Sequence, residues 1–352
     1  MSLSELDARG LGTPAAAAKE EDPTQEVVER RNQSKYDFVK VRVWVEDHVY
    51  VLSRYLVSRA LVGTKIRSKD AVQISLDLKR TLVDLGLTDI MQVATDWEGL
   101  ALGYEQFEDF LYKTMLAFGY GEAYISRYRM ISSFHRSRVP LLIILAGTAC
   151  TGKSTLATKL ADRLNLSSVL QTDLIFELMC NFSGKEKVSY MDTQFPSTDA
   201  LIDAYKKDCE VVRAGVKSDI DKCLKDGKSL VIEGFHIDPR LYQESLASVA
   251  ATAEKGGFSG IIAPFLLTLN EEDHHNFVTH SPDPRYQNDH DGVGFRNLQN
   301  VQQYLVSHAD DAGVIPFTEI RINLHSFHET LDLLHDVVLK RIAEVYVQLR
   351  NA

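Results

Sequence analysis

Leu141-Leu-Ile-Ile-Leu-Ala-Gly-Thr-Ala-Cys-Thr-Gly-Lys-Ser-Thr155 is the stretch that decides the fold. Leu141 to Ala146 is a short, wholly apolar run with the branching expected of a buried parallel strand. Gly147 ends it. From there Gly147, Thr148, Ala149, Cys150, Thr151, Gly152, Lys153 and Ser154 fit G-x-x-x-x-G-K-[ST] without a mismatch. After Thr155, Leu156, Leu160 and Leu164 recur at helical spacing on one face. The motif therefore has the strand, loop and helix it requires. Glycine at 147 and 152 lets successive N–H groups turn toward phosphate oxygens, above the positive end of the helix dipole. Lys153 is placed to reach β- and γ-phosphates, and the Ser154 hydroxyl to ligate Mg²⁺. A chance glycine turn is the competing reading, and the correct flanks weigh against it. Residues 147–155 are expected to bind a nucleoside triphosphate, ATP, with Mg²⁺.

Composition narrows the class. The 352 residues allow one large domain and one small, or two of medium size, and 45% hydrophobic with 25% charged residues is ordinary for a globular chain. The net charge of -10 argues against a general nucleic-acid binder. No apolar run has the length of a membrane span. Cys150, Cys180, Cys209 and Cys223 fall at no metal spacing, which favours reduced thiols and a cytoplasmic enzyme.

Upstream of the loop, residues 1–34 carry an alanine patch and the acidic run Glu20-Glu-Asp22 without a hydrophobic period, the pattern of a disordered tail with no targeting signal. Asp37 to Val45 alternates, with Val39, Val41, Val43 and Val45 on one face of a half-buried strand. Helices are predicted from about Tyr50 to Val62, over Ser68–Arg80 with Ala71, Ile74 and Leu78 inward, and over Tyr104–Ala117. Arg54, Arg59, Lys65 and Arg67 either form a regulatory phosphate site or solvate helix surfaces, and charge runs more often do the latter. Ser132 to Pro140, polar and basic, reads as a linker. The division this implies is a tail (1–34), a small mainly helical domain (35–135) and the phosphate-loop domain (136–352).

Downstream, strand and helix alternate. Ser168–Gln171 is a short strand, with Thr172-Asp173 at its carboxyl end before a helix. Ligands collect at such strand ends, so Asp173 is a candidate for contact with acceptor or metal; a plain N-cap is the alternative. Phe182–Asp199 is irregular, a possible flap, and a long helix spans about Thr198–Lys225. Leu230-Val-Ile-Glu233-Gly is a buried strand ending in a carboxylate suited to Mg²⁺. His236 could bind a substrate phosphate or be a satisfied loop histidine. After the strand Ile261–Leu269, Glu271–Gly294 is polar, with His274, His275, His280 and His290 among aspartates; a metal site is conceivable, but a solvated lid carrying Arg285 fits the composition better. A helix over Phe295–Ala309, a strand at Thr318–Asn323 and a closing helix over Leu331–Leu349 complete the chain.

These blocks carry a resemblance. The phosphate loop, Leu170-Gln-Thr-Asp173, Val231-Ile-Glu-Gly-Phe-His236, Phe295-Arg-Asn-Leu and Gln302-Gln-Tyr-Leu305 together resemble the 2-phosphoglycerate kinase family, most nearly its eukaryotic branch with the plant low-phytic-acid P-loop protein. Residues from Tyr36 to Leu87 resemble the ATP-cone-like domain that precedes that kinase. The resemblance implies an α/β P-loop NTPase/kinase fold, a parallel sheet flanked by helices, that transfers the ATP γ-phosphoryl group to 2-phosphoglycerate. It further implies that Lys153 and Ser154 hold ATP and Mg²⁺, that Asp173 faces the acceptor hydroxyl, and that Glu233 and His236 line the same crevice. Arg296 falls within the family block and, with Arg285, would neutralise the transferring phosphate. Where archaeal members tend to carry arginines, this chain has Phe176, Cys180 and Gln299. Lys206, Arg213, Arg240, Arg285 and Arg296 are the cations left to clamp a phosphorylated acceptor. A kinase for another phosphorylated metabolite, and a nucleotide switch with little turnover, are the alternatives; the sequence is silent on oligomeric state.

Overall fold

Apolar alternation from Val41 and the largely apolar strands from Leu141 onward give two different sheets. The computed structural model describes residues 36, 40–45, 47–87, 102–184, 187–251, 260–281, 286, 289, 291–311 and 315–351. The tail expected over residues 1–34 lies outside these, as do Arg285 and His290. Contacts divide the chain into two units, Met1–Leu52 with Leu78–Glu108, and Ser53–Asp77 with Asp109–Ala352.

In the first unit, β1 (Arg42–Val45), β2 (His48–Val51) and β3 (Leu102–Gly103) form a sheet in the order β2-β1-β3. β1 and β2 are antiparallel, with Arg42 opposite Val51, and β3 joins β1 in parallel. The expected alternation is present: Val41 and Val43 are buried while Trp44 is exposed. The helix predicted from Tyr50 is corrected. Tyr50 and Val51 belong to β2, where aromatic and β-branched residues suit a pleated strand. The helix starts after Ser53, whose hydroxyl accepts the Leu56 N–H at 3.3 Å.

That helix, α1 (Arg54–Gly63), opens the second unit. α2 (Ser68–Asp84) buries Ala71, Ile74, Leu78 and Leu82, and α3 spans Tyr104–Ala117. The linker reading of Ser132–Pro140 is also corrected, because α4 (Glu122–Arg136) runs through most of it. Met130, Ile131 and Phe134 are buried at helical spacing, and that apolar face outweighs the polar residues between. Arg59 pairs with Asp162 at 2.7 Å, Lys65 with Asp336 at 2.6 Å and Arg67 with Asp70 at 2.8 Å. These cations are engaged with carboxylates, each pair worth about 0–1 kcal/mol.

The remaining elements are β4 (Leu141–Ala146), α5 (Lys153–Arg163), β5 (Val169–Gln171), α6 (Thr172–Ser183), α7 (Thr198–Asp226), β6 (Ser229–Gly234), α8 (Gln243–Ala251), β7 (Ile261–Thr268), α9 (Glu271–Thr279), α10 (Val293–Ser307), β8 (Thr318–Arg321) and α11 (Phe327–Asn351). All five strands are parallel, in the order β5-β6-β4-β7-β8. β4 is central and buried along its whole length. Leu142, Ile144 and Ala146 face a core shared with α7 and α10, while Leu141, Ile143 and Leu145 face one shared with α5 and α11. Each buried Leu or Ile contributes about 1.5–3 kcal/mol, which is why the central strand β4 reads as an unbroken apolar run.

Register positions the chemistry. Ala146 lies beside Gly234 and Gln171 beside Glu233, so the phosphate loop, Glu233 and the start of α6 emerge at the same edge. The flap expected over Phe182–Asp199 is irregular where described but fastened. Tyr190 and Met191 are buried, and Asn297 Nδ2 donates to the Tyr190 and Thr193 carbonyls at 2.9 and 3.0 Å.

Candidate active site

The loop is built around one close approach. Gly147 has φ 151°, and a Cβ there would lie 2.5 Å from the Leu267 carbonyl oxygen of β7; only glycine fits without displacing backbone. Lys153 follows at the start of α5 and is buried. Its Nζ donates to the Thr148 carbonyl at 2.5 Å and to Thr151 Oγ1 at 3.3 Å. Burial pulls the Lys153 pKa below its ordinary value, with Asp173 and Glu233 pulling the other way. Thr148 Oγ1 donates to the Leu298 carbonyl at 3.0 Å, tying the loop to α10.

Carboxylates face this ammonium from two neighbouring strand ends. Asp173 sits in the first turn of α6, its side chain 56% exposed. Its Oδ1 accepts the Phe235 N–H at 3.4 Å and lies 3.2 Å from His236 Nδ1. Burial works to raise the Asp173 pKa; the bond and charge of His236, then Lys153 and the Phe235 N–H, overcome it and bring it to about 2. His236 is buried and stacked on Phe176, ring centroids 4.3 Å apart. Glu233 is 2% exposed, and burial raises its pKa while Lys153 and a hydrogen bond from Ser154 oppose the rise. Lys153, Ser154, Asp173, Glu233 and His236 therefore lie within interaction range of one another at the carboxyl ends of β4, β5 and β6.

Gly234 lets Glu233 and α6 approach so closely. Its φ is 148°, and a Cβ would fall 1.8 Å from Thr172 Oγ1, itself fully buried. Gly234→Ala is expected to cost about 1–3 kcal/mol in stability, from overpacking and backbone strain. A urea titration would read this as a lower midpoint at unchanged slope; an unaltered midpoint would show that α6 yields freely.

Arg296 stands apart from the cluster. It lies in the first turn of α10 with an exposed guanidinium that donates to the Asp291 carbonyl at 3.3 Å. The lid expected over Glu271–Gly294 is corrected in its first part, because Glu271–Thr279 is helix α9. Asn270 Oδ1 accepts the Asp273 N–H at 2.8 Å, and Glu271, Glu272 and Asp273 fill the first turn. That capped, acidic start was a readable helix signal. Val278 and His274 are buried on its inner face. Asp289 accepts the Gly294 and Phe295 N–H groups at 2.9 and 2.7 Å, which satisfies two free donors in the first turn of α10. Among the described residues no group of three or more His, Cys, Asp or Glu could hold a metal ion.

Two residues of the site were invisible as such in the sequence. His274 Nε2 meets the Ala149 carbonyl of the loop at 2.8 Å, and Gln299 Nε2 meets His274 Nδ1 at 2.7 Å. Gln299, at a position where archaeal relatives were expected to carry arginine, thus braces the loop through a histidine. Phe176 and Cys180 are buried, Phe176 under His236. Of the other cations, Lys206 lies 3.7 Å from Asp203 and over the Tyr304 ring. Arg213 donates to the Leu241 carbonyl at 3.0 Å, and Arg240 pairs with buried Asp238 at 3.0 Å.

A family model described as an AAA domain matches residues 143–273, from β4 into α9. The 2-phosphoglycerate kinase of Methanopyrus kandleri is 23% identical over 341 residues, 93% of this chain and 94% of that protein. That of Thermococcus kodakarensis is 26% identical over 273 residues, 73% of this chain and 86% of that protein. Among solved structures, shikimate kinase from Acinetobacter baumannii, in complex with shikimate, is 15% identical, covers 61% of this chain and 98% of that one, and has a TM-score of 0.34. The five-stranded parallel sheet, its phosphate loop and the flanking helices are those of a P-loop kinase, and the chain is an ATP-dependent phosphotransferase. Over most of its length it is similar to proteins named 2-phosphoglycerate kinase, at 23–26% identity. No helix among the described residues is long and apolar enough to cross a membrane.

Proposed function

We propose that this kinase transfers the γ-phosphoryl group of ATP to the hydroxyl of a small phosphorylated acid, with 2-phosphoglycerate as acceptor and 2,3-bisphosphoglycerate as product. The observation that carries the reading is the convergence of an ammonium, Lys153, with an exposed carboxylate, Asp173, across the phosphate loop. The relatives named 2-phosphoglycerate kinase supply the acceptor. Lys153 leaves the Thr148 carbonyl for the β- and γ-phosphates and neutralises the charge that spreads over the transferring group. Asp173, ionised at neutral pH and oriented by His236 and the Phe235 N–H, accepts the acceptor's hydroxyl hydrogen. A carboxylate held at about pKa 2 is a poor base toward a free hydroxyl. It therefore serves first to aim the oxygen at phosphorus, and the proton leaves late, as the new P–O bond forms and the bond to ADP breaks. His236 lines the acceptor side, and Arg296, held at the Asp291 carbonyl away from the cluster, has no part in this arrangement.

Ser154 and Glu233 would hold Mg²⁺: a hydroxyl hydrogen-bonded to a buried carboxylate is a hard oxygen pair of the kind this ion takes beside phosphates. When bound, the ion neutralises phosphate charge. The two carboxylates titrate apart, which gives a pH prediction. Glu233, its pKa raised by burial, takes up a proton first as pH falls, while Asp173 stays ionised nearly to pH 2. The acid limb of kcat/KM should therefore lie above the ordinary glutamate range and persist in the residual activity of Asp173→Asn. A limb that vanishes in that variant would belong to Asp173.

A second acceptor class is favoured by one observation: Phe176 and Cys180 are buried and Gln299 is spent on His274, so none offers the cation a phosphate clamp needs. A larger phosphorylated metabolite, inositol-phosphate-like, would draw on other cations. Acceptor-dependent ADP release, measured with a panel of phosphoglycerates and inositol phosphates, separates the two. Greatest stimulation by 2-phosphoglycerate is expected. Greater stimulation by an inositol phosphate would move the assignment, and ATP binding without stimulation by any acceptor would indicate a switch.

A further inference from the structure

His274 is fully buried on α9 and touches the phosphate loop on one side and α10 on the other. Its Nε2 is 2.8 Å from the Ala149 carbonyl oxygen, its Nδ1 is 2.7 Å from Gln299 Nε2, and its ring leans on Phe295 at 5.4 Å between centroids. A carbonyl oxygen only accepts, so Nε2 carries the ring proton. In the neutral ring Nδ1 then accepts, and the Gln299 amide is the donor that fixes this tautomer. Burial above all, with the nearby charges of Lys153 and His275, lowers the His274 pKa to about 4, while the Ala149 bond opposes the shift. The ring is neutral at physiological pH.

The consequence falls on the loop. The peptide is trans, so its C=O and the next residue's N–H point in opposite directions. With the Ala149 carbonyl drawn toward α9, the Cys150 N–H of the same peptide is turned away from α9. Cys150 has φ 56°, the left-handed conformation that alternates with right-handed residues in such anion-binding turns. The Thr148–Leu298 bond ties the preceding residue to the same α10.

We propose that Gln299, His274 and the Ala149 carbonyl form a positioning relay that locks this peptide so that the Cys150 N–H faces the ATP phosphates. Neither side chain touches the reacting atoms; both act through the loop backbone. The relay concerns the nucleotide half of the site and holds for any acceptor, so the failure of the acceptor assignment leaves it standing.

Equilibrium binding of ATP to the full chain tests it. His274→Leu removes the N–H donor and should weaken ATP by about 10-fold, the scale of one charge-assisted hydrogen bond. His274→Gln keeps an N–H at the same reach and should recover affinity to within about 3-fold of the native protein, which a filler of space alone would not achieve. Nitrogen NMR of the ring should show Nε2 protonated and Nδ1 bare, unchanged from about pH 6 to pH 8, the interval in which an ordinary histidine titrates. Gln299→Glu should draw a proton onto Nδ1 and raise the ring pKa. In that variant ATP should bind well while the imidazolium donates on both sides, and weaken as pH rises and the ring loses a proton. Native affinity in a folded His274→Leu would overturn the proposal. So would an Nδ1–H tautomer in the native protein, a result that requires no variant to fold.

Discussion

Lys153→Ala should leave a folded protein that has lost nearly all phosphoryl transfer. The side chain is buried, but it acts by charge: its ammonium is held against a depressed pKa inside the loop and opposite two carboxylates. Removing it leaves the Thr148 carbonyl still accepting from Thr151 Oγ1 at 3.1 Å, so the loop keeps an internal bond. What disappears is the mobile cation that meets charge developing on the β- and γ-phosphates. Such preorganised electrostatic contacts are worth several kcal/mol, and about 1.4 kcal/mol is tenfold in rate, so a drop of about 10³-fold in kcat is expected. The check is turnover at saturating ATP beside a thermal melt. Native turnover in a folded variant would remove Lys153 from the chemistry.

Asp173→Asn should lower kcat by about 10²–10⁴-fold and leave ATP affinity nearly unchanged. The amide oxygen can still accept the Phe235 N–H, so the start of α6 should hold. Lost is the negative charge that pairs with His236 and Lys153 and that would aim the acceptor hydroxyl. Asp173 is the most exposed of the three charged groups that meet at the loop, which places it where an acceptor can arrive. Steady-state kinetics with ATP varied at saturating acceptor, and the reverse, separate the two parameters. A collapse of ATP affinity at modest cost in kcat would make Asp173 a metal ligand instead.

The sequence was most legible where a residue's role depends on near neighbours along the chain. β4 and the loop follow from six apolar residues, two glycines and a lysine, and α3 and α7 lie close to the expected Tyr104–Ala117 and Thr198–Lys225. Asp173 and Glu233 were singled out because strand ends gather ligands in a parallel sheet. The β1–β2 hairpin was missed because His48–Val51 is exposed along its length and so shows no alternation to read. The polar end of α4 concealed Ile131 and Phe134, whose burial comes from packing against distant helices. His274 was read as one histidine of a solvated lid because nothing local marks it as buried. Its partners lie 125 and 25 residues away in the chain, and only the tertiary fold brings Ala149 and Gln299 to its two nitrogens.

The central claim is acceptor-directed phosphoryl transfer, and the most direct measurement follows the phosphoryl group itself. ATP labelled in its γ-phosphate is incubated with the protein, Mg²⁺ and 2-phosphoglycerate, and the labelled products are separated. Label in 2,3-bisphosphoglycerate, in step with ADP and lost in Lys153→Ala, is the predicted result. Label that remains in ATP, or that appears only as inorganic phosphate whether or not the acid is present, would contradict it.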